Sequence, residues 1–151
     1  MIIRPATRDD IPHIRELEQQ SGTAAHWAER DYDTLFLPDA PKRLALVALE
    51  ESDGNGVCGF VVARCSSEEW EIENVVVRAD RRRQGVGGAI VAEVVQRAQA
   101  AGAESVILEV RESNLAARNL YKSIGFQEIG RRQGYYENPA EPAIVMKFHS
   151  C

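Results

Sequence analysis

The amino-acid sequence predicts an α/β fold, built as an α+β mixed sheet of about seven strands flanked by about four helices. Three strand-like runs follow one another at 43–50, 57–65 and 70–78, which indicates an antiparallel meander. A helical stripe and a nearly continuous apolar run at 105–110 come next, which predicts a central β-α-β unit with a parallel strand buried on both faces. The length, 151 residues, favours one domain spanning 1–151.

The segments before the meander predict one strand and two helices. Residues 2–4 form the strand, and Thr7 and Asp10 have the spacing of a capping box. Apolar residues then mark one helix face up to about residue 20, at Ile11, Ile14 and Leu17. A second helix is expected to begin near Trp27 and end before Pro38.

The second half of the chain predicts two helices and three strands. The first helix spans 85–101 and ends at Gly102. The second begins at a cap, Ser113 or Asn114, and is closed by Gly125. Two last strands, FQEIGRR and AIVMKF, follow.

Composition and charge exclude several classes of protein. The chain has 23 acidic and 18 basic residues, a formal net charge of −5, which argues against a dedicated nucleic-acid binder. It has no apolar run of membrane-spanning length and no apolar leader at its start, so we expect a cytoplasmic protein without membrane contact. Three cysteines without C-x-x-C spacing and three scattered histidines predict neither a disulfide scaffold nor a metal site. We expect a monomer or a weak dimer.

A glycine-rich turn between a strand and a helix is the most informative segment. Free N–H groups at such a helix start attract an anion, and small residues let a ligand approach the backbone. Arginines at 78 and 81–83 add positive charge. The alternative is a glycine-rich loop with a solvated arginine run. The residues of the turn are Arg82, Arg83, Gln84, Gly85, Val86, Gly87 and Gly88.

Two motifs resemble the GNAT superfamily of N-acetyltransferases. Arg82-x-x-Gly85-x-Gly87 is similar to its acyl-CoA pyrophosphate motif, and the segment from Asn114 through Tyr121 to Phe126 is similar to its N-x-x-A-x-x-L-Y-x-x-x-G-F motif. The resemblance implies a GNAT fold and acetyl-CoA as co-substrate. It also implies that the backbone of Val75, Val76 and Val77 binds the pantetheine arm, with help from Asn114, and that residues 83–88 bind the pyrophosphate. Asn114 is otherwise a plain helix cap.

Further segments resemble the RimI-type ribosomal-protein alanine N-acetyltransferases within this superfamily. Glu71-Ile72-x-Asn74 matches their fourth strand, and Trp27 is similar to the tryptophan after their first helix. Their usual Glu-Asp pair before the last strand is Glu141-Pro142 here. The resemblance implies that the acceptor is the N-terminal alanine of a small-subunit ribosomal protein.

An amine acceptor must lose a proton before it attacks a thioester, and the departing thiolate must gain one, so a base and an acid are needed. Glu109 interrupts an apolar strand, where a carboxylate is costly unless it is partnered or functional. It matches the family's general base. The alternative is a salt bridge to an arginine such as Arg111 or Arg118. Glu71 and Glu73 are the fallback bases.

The remaining site residues also have two interpretations. Tyr121 matches the family's general acid, although helical spacing also fits a core aromatic. Backbone N–H groups around Val76 are the expected oxyanion donors. Tyr135 and Tyr136 are expected to line the acceptor groove, or else to lie on a surface hairpin.

Three functions follow from this sequence. The first is acetyl transfer to a protein N-terminal amine, with Glu109 and Tyr121 as base and acid. The second keeps this chemistry and changes the acceptor to a small-molecule amine or a lysine side chain. The third is a catalytically silent acyl-CoA-binding module.

Overall fold

A computed structural model describes residues 1–20, 42–50, 56–81, 85–136 and 141–149. The described strands form one seven-stranded sheet in the order β1-β2-β3-β4-β5-β7-β6. The strands are β1 Ile2–Pro5, β2 Arg43–Leu49, β3 Val57–Cys65, β4 Glu69–Val77, β5 Ser105–Arg111, β6 Gln127–Tyr136 and β7 Glu141–His149. The helices are α1 Ile11–Gln20, α2 Val86–Ala100 and α3 Leu115–Ile124. The second predicted helix, from Trp27 to before Pro38, lies outside the described residues.

The sheet is mixed, as the sequence predicts. Every neighbouring pair of strands is antiparallel except β4 and β5, which are parallel and are connected by α2. A parallel pair needs a crossover of this kind, and a helix is its usual form. The predicted meander and β-α-β unit are therefore confirmed. None of the described helices is long and apolar enough to cross a lipid bilayer.

A β-bulge interrupts β4 at Glu73. On β3, the neighbours Val62 and Ala63 pair with Asn74 and Ile72, so Glu73 has no partner residue there. One extra residue reverses the alternation of side chains between the two faces. Ile72 accordingly packs in the core on the side of α2 and α3, whereas Val76 packs on the side of α1.

The prediction that strand 105–110 is buried on both faces was wrong. Val106, Leu108 and Val110 are buried against the core on the α2 and α3 side, but Ile107 and Glu109, on the other face, are only partly buried. The cause is the position of α1, which packs over β3 and β4. The α1-side cluster contains no residue of β5 within the described chain. The described residues therefore cover this face of β5 only in part.

The predicted capping box before α1 is present and is tied to β1. The Thr7 backbone N–H donates to Asp10 Oδ2 at 2.7 Å, within a short 3₁₀ turn over Arg8–Asp10. Arg4 of β1 donates two hydrogen bonds to the same carboxylate, at 2.8 and 2.9 Å. These bonds with Arg4 lower the pKa of Asp10 below its usual value. They join the first strand to the start of α1.

Gly125, which ends α3, has a structural requirement for glycine. Its φ is +122°, and a Cβ built there would lie 2.9 Å from Cε2 of Phe148. We expect Gly125→Ala to lower the free energy of unfolding by about 2 kcal/mol, because left-handed backbone strain adds to the clash. Urea denaturation measures the change. Gly130→Ala is the matched control, since nothing lies within 4 Å of its built Cβ, and a similar loss there would contradict the explanation.

Candidate active site

The site is built around a gap in the sheet. Parallel pairing between β4 and β5 runs from Glu69 opposite Ser105 to Ile72 opposite Leu108 and then ends, although both strands continue. We call the space between the unpaired ends, 73–77 of β4 and 109–111 of β5, the β4–β5 gap. Over 74–77, β4 pairs with β3 on its other side only. Toward the gap, Val75 and Val76 are not paired with β5, and extended backbone carries obligatory hydrogen-bonding groups that a ligand can meet.

The start of α2 forms a second ligand-facing feature. Gly85 is the N-cap, with φ +86°, a conformation that favours glycine. Ala89 is the first residue whose N–H reaches an intrahelical carbonyl, that of Gly85 at 3.0 Å. Helix geometry leaves the N–H groups of residues 86–88 without intrahelical acceptors, at the positive end of the helix dipole. Arg82, Arg83 and Gln84 lie outside the described residues.

Gly88 also has a packing role that the sequence did not reveal. A Cβ built at Gly88 would lie 3.2 Å from Cδ1 of Leu120, which belongs to α3. A Cβ built at Gly87 would lie 3.6 Å from Leu120 Cδ2, an ordinary van der Waals contact. Gly88 therefore lets α2 and α3 approach closely beside the anion-facing turn.

Three carboxylates gather on the α1 side of the β4–β5 gap: Glu71, Glu73 and Glu109, hereafter the carboxylate cluster. Glu71 lies opposite Ile107 in the parallel register, so Glu109, two residues further along β5, shares its face. Burial is the main cause that raises the pKa of Glu71, and the negative charges of Glu73 and Glu109 raise it further. Arg43 donates to both oxygens of Glu73, at 2.7 and 3.3 Å. Glu73 is thus compensated by a cation.

Glu109 combines one paired and one unpaired oxygen. Its Oε1 accepts a hydrogen bond from Arg132 Nη1 at 3.2 Å. Its Oε2 is buried and has no hydrogen-bond partner among the described residues. A buried acceptor without a partner is costly, and it is the kind of exception that points to a role in chemistry. The alternative, a salt bridge from Glu109 to an arginine, is therefore present with Arg132 as the partner. The two arginines named as examples pair elsewhere, Arg111 with Glu141 at 3.0 Å and Arg118 with Glu128 at 2.8 Å.

Tyr121 lies in the core on the α2 and α3 side. Its side chain is 9% exposed, and its ring packs on Phe126 with centroids 6.0 Å apart. Burial raises the pKa of Tyr121 to about 12. The ring is therefore packed in the core, and its phenol keeps its proton throughout the neutral range.

Asn114 and Glu141 organise the chain just after β5. Asn114 is the N-cap of α3, where its Oδ1 accepts from the Ala117 N–H at 3.1 Å. Glu141 accepts from Arg111 and from the hydroxyl and N–H of Ser113 at 3.0 to 3.1 Å. These bonds, with Arg111 as the largest cause, lower the pKa of Glu141. The first residue of the Glu141-Pro142 departure thus anchors the start of β7 to the end of β5.

Several predicted site residues remain outside this description, and two contacts were missed. Trp27 lies outside the described residues, and nothing is described for the side chains of Tyr135 and Tyr136.

The missed contacts are the Arg132–Glu109 pair and a buried bond from Asn74 Nδ2 to Glu18 Oε2 at 3.0 Å. Both join residues distant in sequence. Only the strand order and the packing of α1 bring them together.

The comparisons with known proteins agree with this geometry. Residues 11–126 match the model of the acetyltransferase (GNAT) family. The [ribosomal protein bS18]-alanine N-acetyltransferase of Haemophilus influenzae is 31% identical over 140 residues, which cover 91% of this chain and 90% of the relative. The crystal structure of the ribosomal-protein-S18-alanine N-acetyltransferase from Escherichia coli covers 98% of this chain and 92% of its own, with 28% identity and a TM-score of 0.85.

A third likeness supports the fold alone. The Arabidopsis thaliana protein NAA60, crystallised in complex with acetyl-CoA, superposes with a TM-score of 0.84 at 18% identity, and the match covers 98% of both chains. The open sheet, the anion-facing helix start and these matches define an acyl-CoA-type transferase fold. The chain belongs to the GNAT family of acetyltransferases. Within that family it resembles the ribosomal-protein alanine N-acetyltransferases, as its sequence predicts.

The raised pKa of Glu71 predicts a pH-dependent stability. The folded state binds this proton more tightly than the unfolded chain, whose value is near 4.5, so the stabilisation is lost as pH rises through the window above that value. We expect Glu71→Gln to raise Tm by about 1–3 °C at pH 8 and to leave it unchanged at pH 4. Calorimetry at both pH values measures this.

The control for that experiment is Glu73→Gln. This variant removes the carboxylate that Arg43 holds at 2.7 Å, so its Tm at pH 8 should fall. A rise in Tm of similar size in both variants would contradict the assigned cause of the Glu71 shift.

Proposed function

We propose that this protein transfers the acetyl group of acetyl-CoA to the N-terminal alanine α-amino group of the small-subunit ribosomal protein bS18. Its acceptor follows from the relatives in Haemophilus influenzae and Escherichia coli, whose names state that substrate. Glu109 acts as general base and Tyr121 as general acid in a direct attack. The observation that carries this assignment is Oε2 of Glu109, buried beside the β4–β5 gap without a partner among the described residues.

Three features support binding of acetyl-CoA. The backbone of Val75–Val77, beside the β4–β5 gap, suits the amide-containing pantetheine arm, and the N–H groups at Gly85–Gly88 suit the pyrophosphate. Arg82, Arg83 and Gln84 complete the turn in sequence, and Asn114 lies at the start of the neighbouring helix α3. When bound, acetyl-CoA supplies an activated acetyl thioester and a thiolate leaving group.

Glu109 removes the proton that blocks the acceptor nitrogen. An α-ammonium group carries no lone pair for attack, so Oε2 must accept its proton directly or through one water. Glu73 is a weaker candidate because Arg43 occupies both of its oxygens. Glu71 is the remaining alternative, since its raised pKa brings it closer to that of an amine.

Tyr121 returns a proton to the leaving sulfur. A pKa of about 12 keeps the phenol protonated at neutral pH, so its O–H can donate a proton. Backbone N–H groups around Val76, on the edge of β4 toward the gap, stabilise the negative charge that develops on the carbonyl oxygen.

The acceptor enters from the α1 side, where the carboxylate cluster lies. Glu71 and Glu73 give that entrance a negative charge that favours a cationic N-terminus. Trp27, Tyr135 and Tyr136 line the groove in this proposal, since aromatic side chains provide contact area with a polar end.

The experiment that tests the function is an acetylation assay with acetyl-CoA and a peptide copying the alanine-initiated N-terminus of bS18. We expect release of free CoA and a mass increase of one acetyl group at the α-amine. The same peptide with a blocked N-terminus and an internal lysine is the control. Turnover of that blocked peptide or of a small polyamine alone would overturn the acceptor, and no turnover of any amine would favour a silent acyl-CoA-binding module.

Substitution of the two proposed catalytic residues separates chemistry from binding. We expect Glu109→Gln and Tyr121→Phe each to lower kcat about 10²- to 10⁴-fold with little change in affinity for acetyl-CoA, because each loses only a proton transfer. Steady-state kinetics and calorimetric titration measure both quantities. Glu104→Gln, at an exposed glutamate before β5, is the control and should retain full activity.

The pH dependence of the rate follows from the tyrosine. Because its pKa is about 12, loss of the Tyr121 proton should not reduce kcat below about pH 10. We therefore expect kcat to rise with pH to a plateau rather than to form a bell. A decline between pH 8 and 10 that is absent in Tyr121→Phe would contradict this.

A further inference from the structure

We infer that Arg132 is a positioning residue for Glu109: it holds Oε1 so that Oε2 is presented to the acceptor. This inference rests on the proposed role of Glu109 as the base. The bond from Arg132 Nη1 to Glu109 Oε1, at 3.2 Å, is the observation that carries it. Oε1 is held by Arg132, and Oε2 is buried without a partner among the described residues. Oε1 therefore fixes the orientation of the carboxylate, and Oε2 is left to accept the proton.

The strand register explains how Arg132 reaches Glu109. Arg132 of β6 lies opposite Ala143 of β7, which lies opposite Arg111 of β5. Glu109 is two residues before Arg111, so it shares that face of the sheet with Arg132. The strands β5 and β6 are separated by β7, a distance of roughly 10 Å. A long side chain such as that of arginine is needed to span it.

The charges around Glu109 explain why a contact with Arg132 matters for its role as the base. Two further carboxylates, Glu71 and Glu73 of β4, contribute negative charge at the same place. Burial raises the pKa of Glu71, and the charges of Glu73 and Glu109 raise it further. Arg43 compensates Glu73, while Arg132 compensates Glu109. Without Arg132, repulsion from Glu71 and Glu73 would favour a protonated or rotated Glu109. In either state Oε2 could no longer take the proton of the substrate amine.

Stability alone is a poor explanation for this pair. The Arg132 side chain is 60% exposed, and ion pairs of exposed groups contribute little to folding. Loss of Arg132 should therefore appear in the rate and its pH dependence while Tm changes little. Its neighbour Arg131 offers a matched comparison, because it is 51% exposed and pairs with Glu112 at 2.7 Å. Arg131 lies opposite Ile144, whose side chain packs in the core on the opposite face of the sheet.

The test compares Arg132→Gln, Arg132→Lys and Arg131→Gln in the full-length enzyme, with whichever amine the wild type acetylates. We expect Arg132→Gln to lower kcat about tenfold, to move the acid limb of the pH–rate profile to higher pH, and to leave KM for acetyl-CoA unchanged. Arg132→Lys, which restores the charge, should return the acid limb toward the wild-type position. Arg131→Gln should behave as wild type.

A double-mutant cycle completes the test. In a Glu109→Gln background, Arg132→Gln should cause no further loss of rate, because a positioning residue acts only through the group that it positions. A wild-type rate and pH profile for Arg132→Gln would overturn the inference, as would equal losses in Arg131→Gln or additive losses in the cycle. If Glu109→Gln itself retains full activity, the proposed base is wrong and the role of Arg132 is overturned with it.

Discussion

The end of parallel pairing between β4 and β5 is the constraint on which the rest of the structure depends. After Ile72 and Leu108 the two strands continue without pairing with each other. This is the β4–β5 gap in a sheet whose neighbouring strands are otherwise hydrogen-bonded. The bulge at Glu73 lies at the start of that gap. Because the bulge reverses the faces of β4, Val76 packs on the side of α1.

The β4–β5 gap also lies between two electrostatic environments within an acidic chain. On one side, the start of α2 presents unpaired N–H groups and the positive end of a 15-residue helix. On the α1 side, three carboxylates gather with only part of their charge compensated by Arg43 and Arg132. The net charge of −5 therefore says little about the protein until it is divided between an anion-attracting side and a cation-attracting side.

Local patterns predicted most of the fold, and long-range register explains what they missed. Strands, turns and the helix start at Gly85 follow from residues a few positions apart, so periodicity and glycine placement suffice. Glu109 stood out because a carboxylate interrupts an apolar strand. Arg132 did not, since its contact depends on β7 inserting between β5 and β6, an order that no local pattern contains. The burial of β5 was overestimated for the same reason, as the sequence does not reveal which strands α1 covers.

The closeness of Gly88 to Leu120 has a consequence for the freedom of the first turn of α2. A Cβ at position 88 would lie 3.2 Å from Cδ1 of Leu120, so any side chain there requires Leu120 to shift by a few tenths of an ångström. The first turn of α2 is therefore coupled by packing to α3, the helix that carries Tyr121. A change of packing at this contact reaches both helices at once.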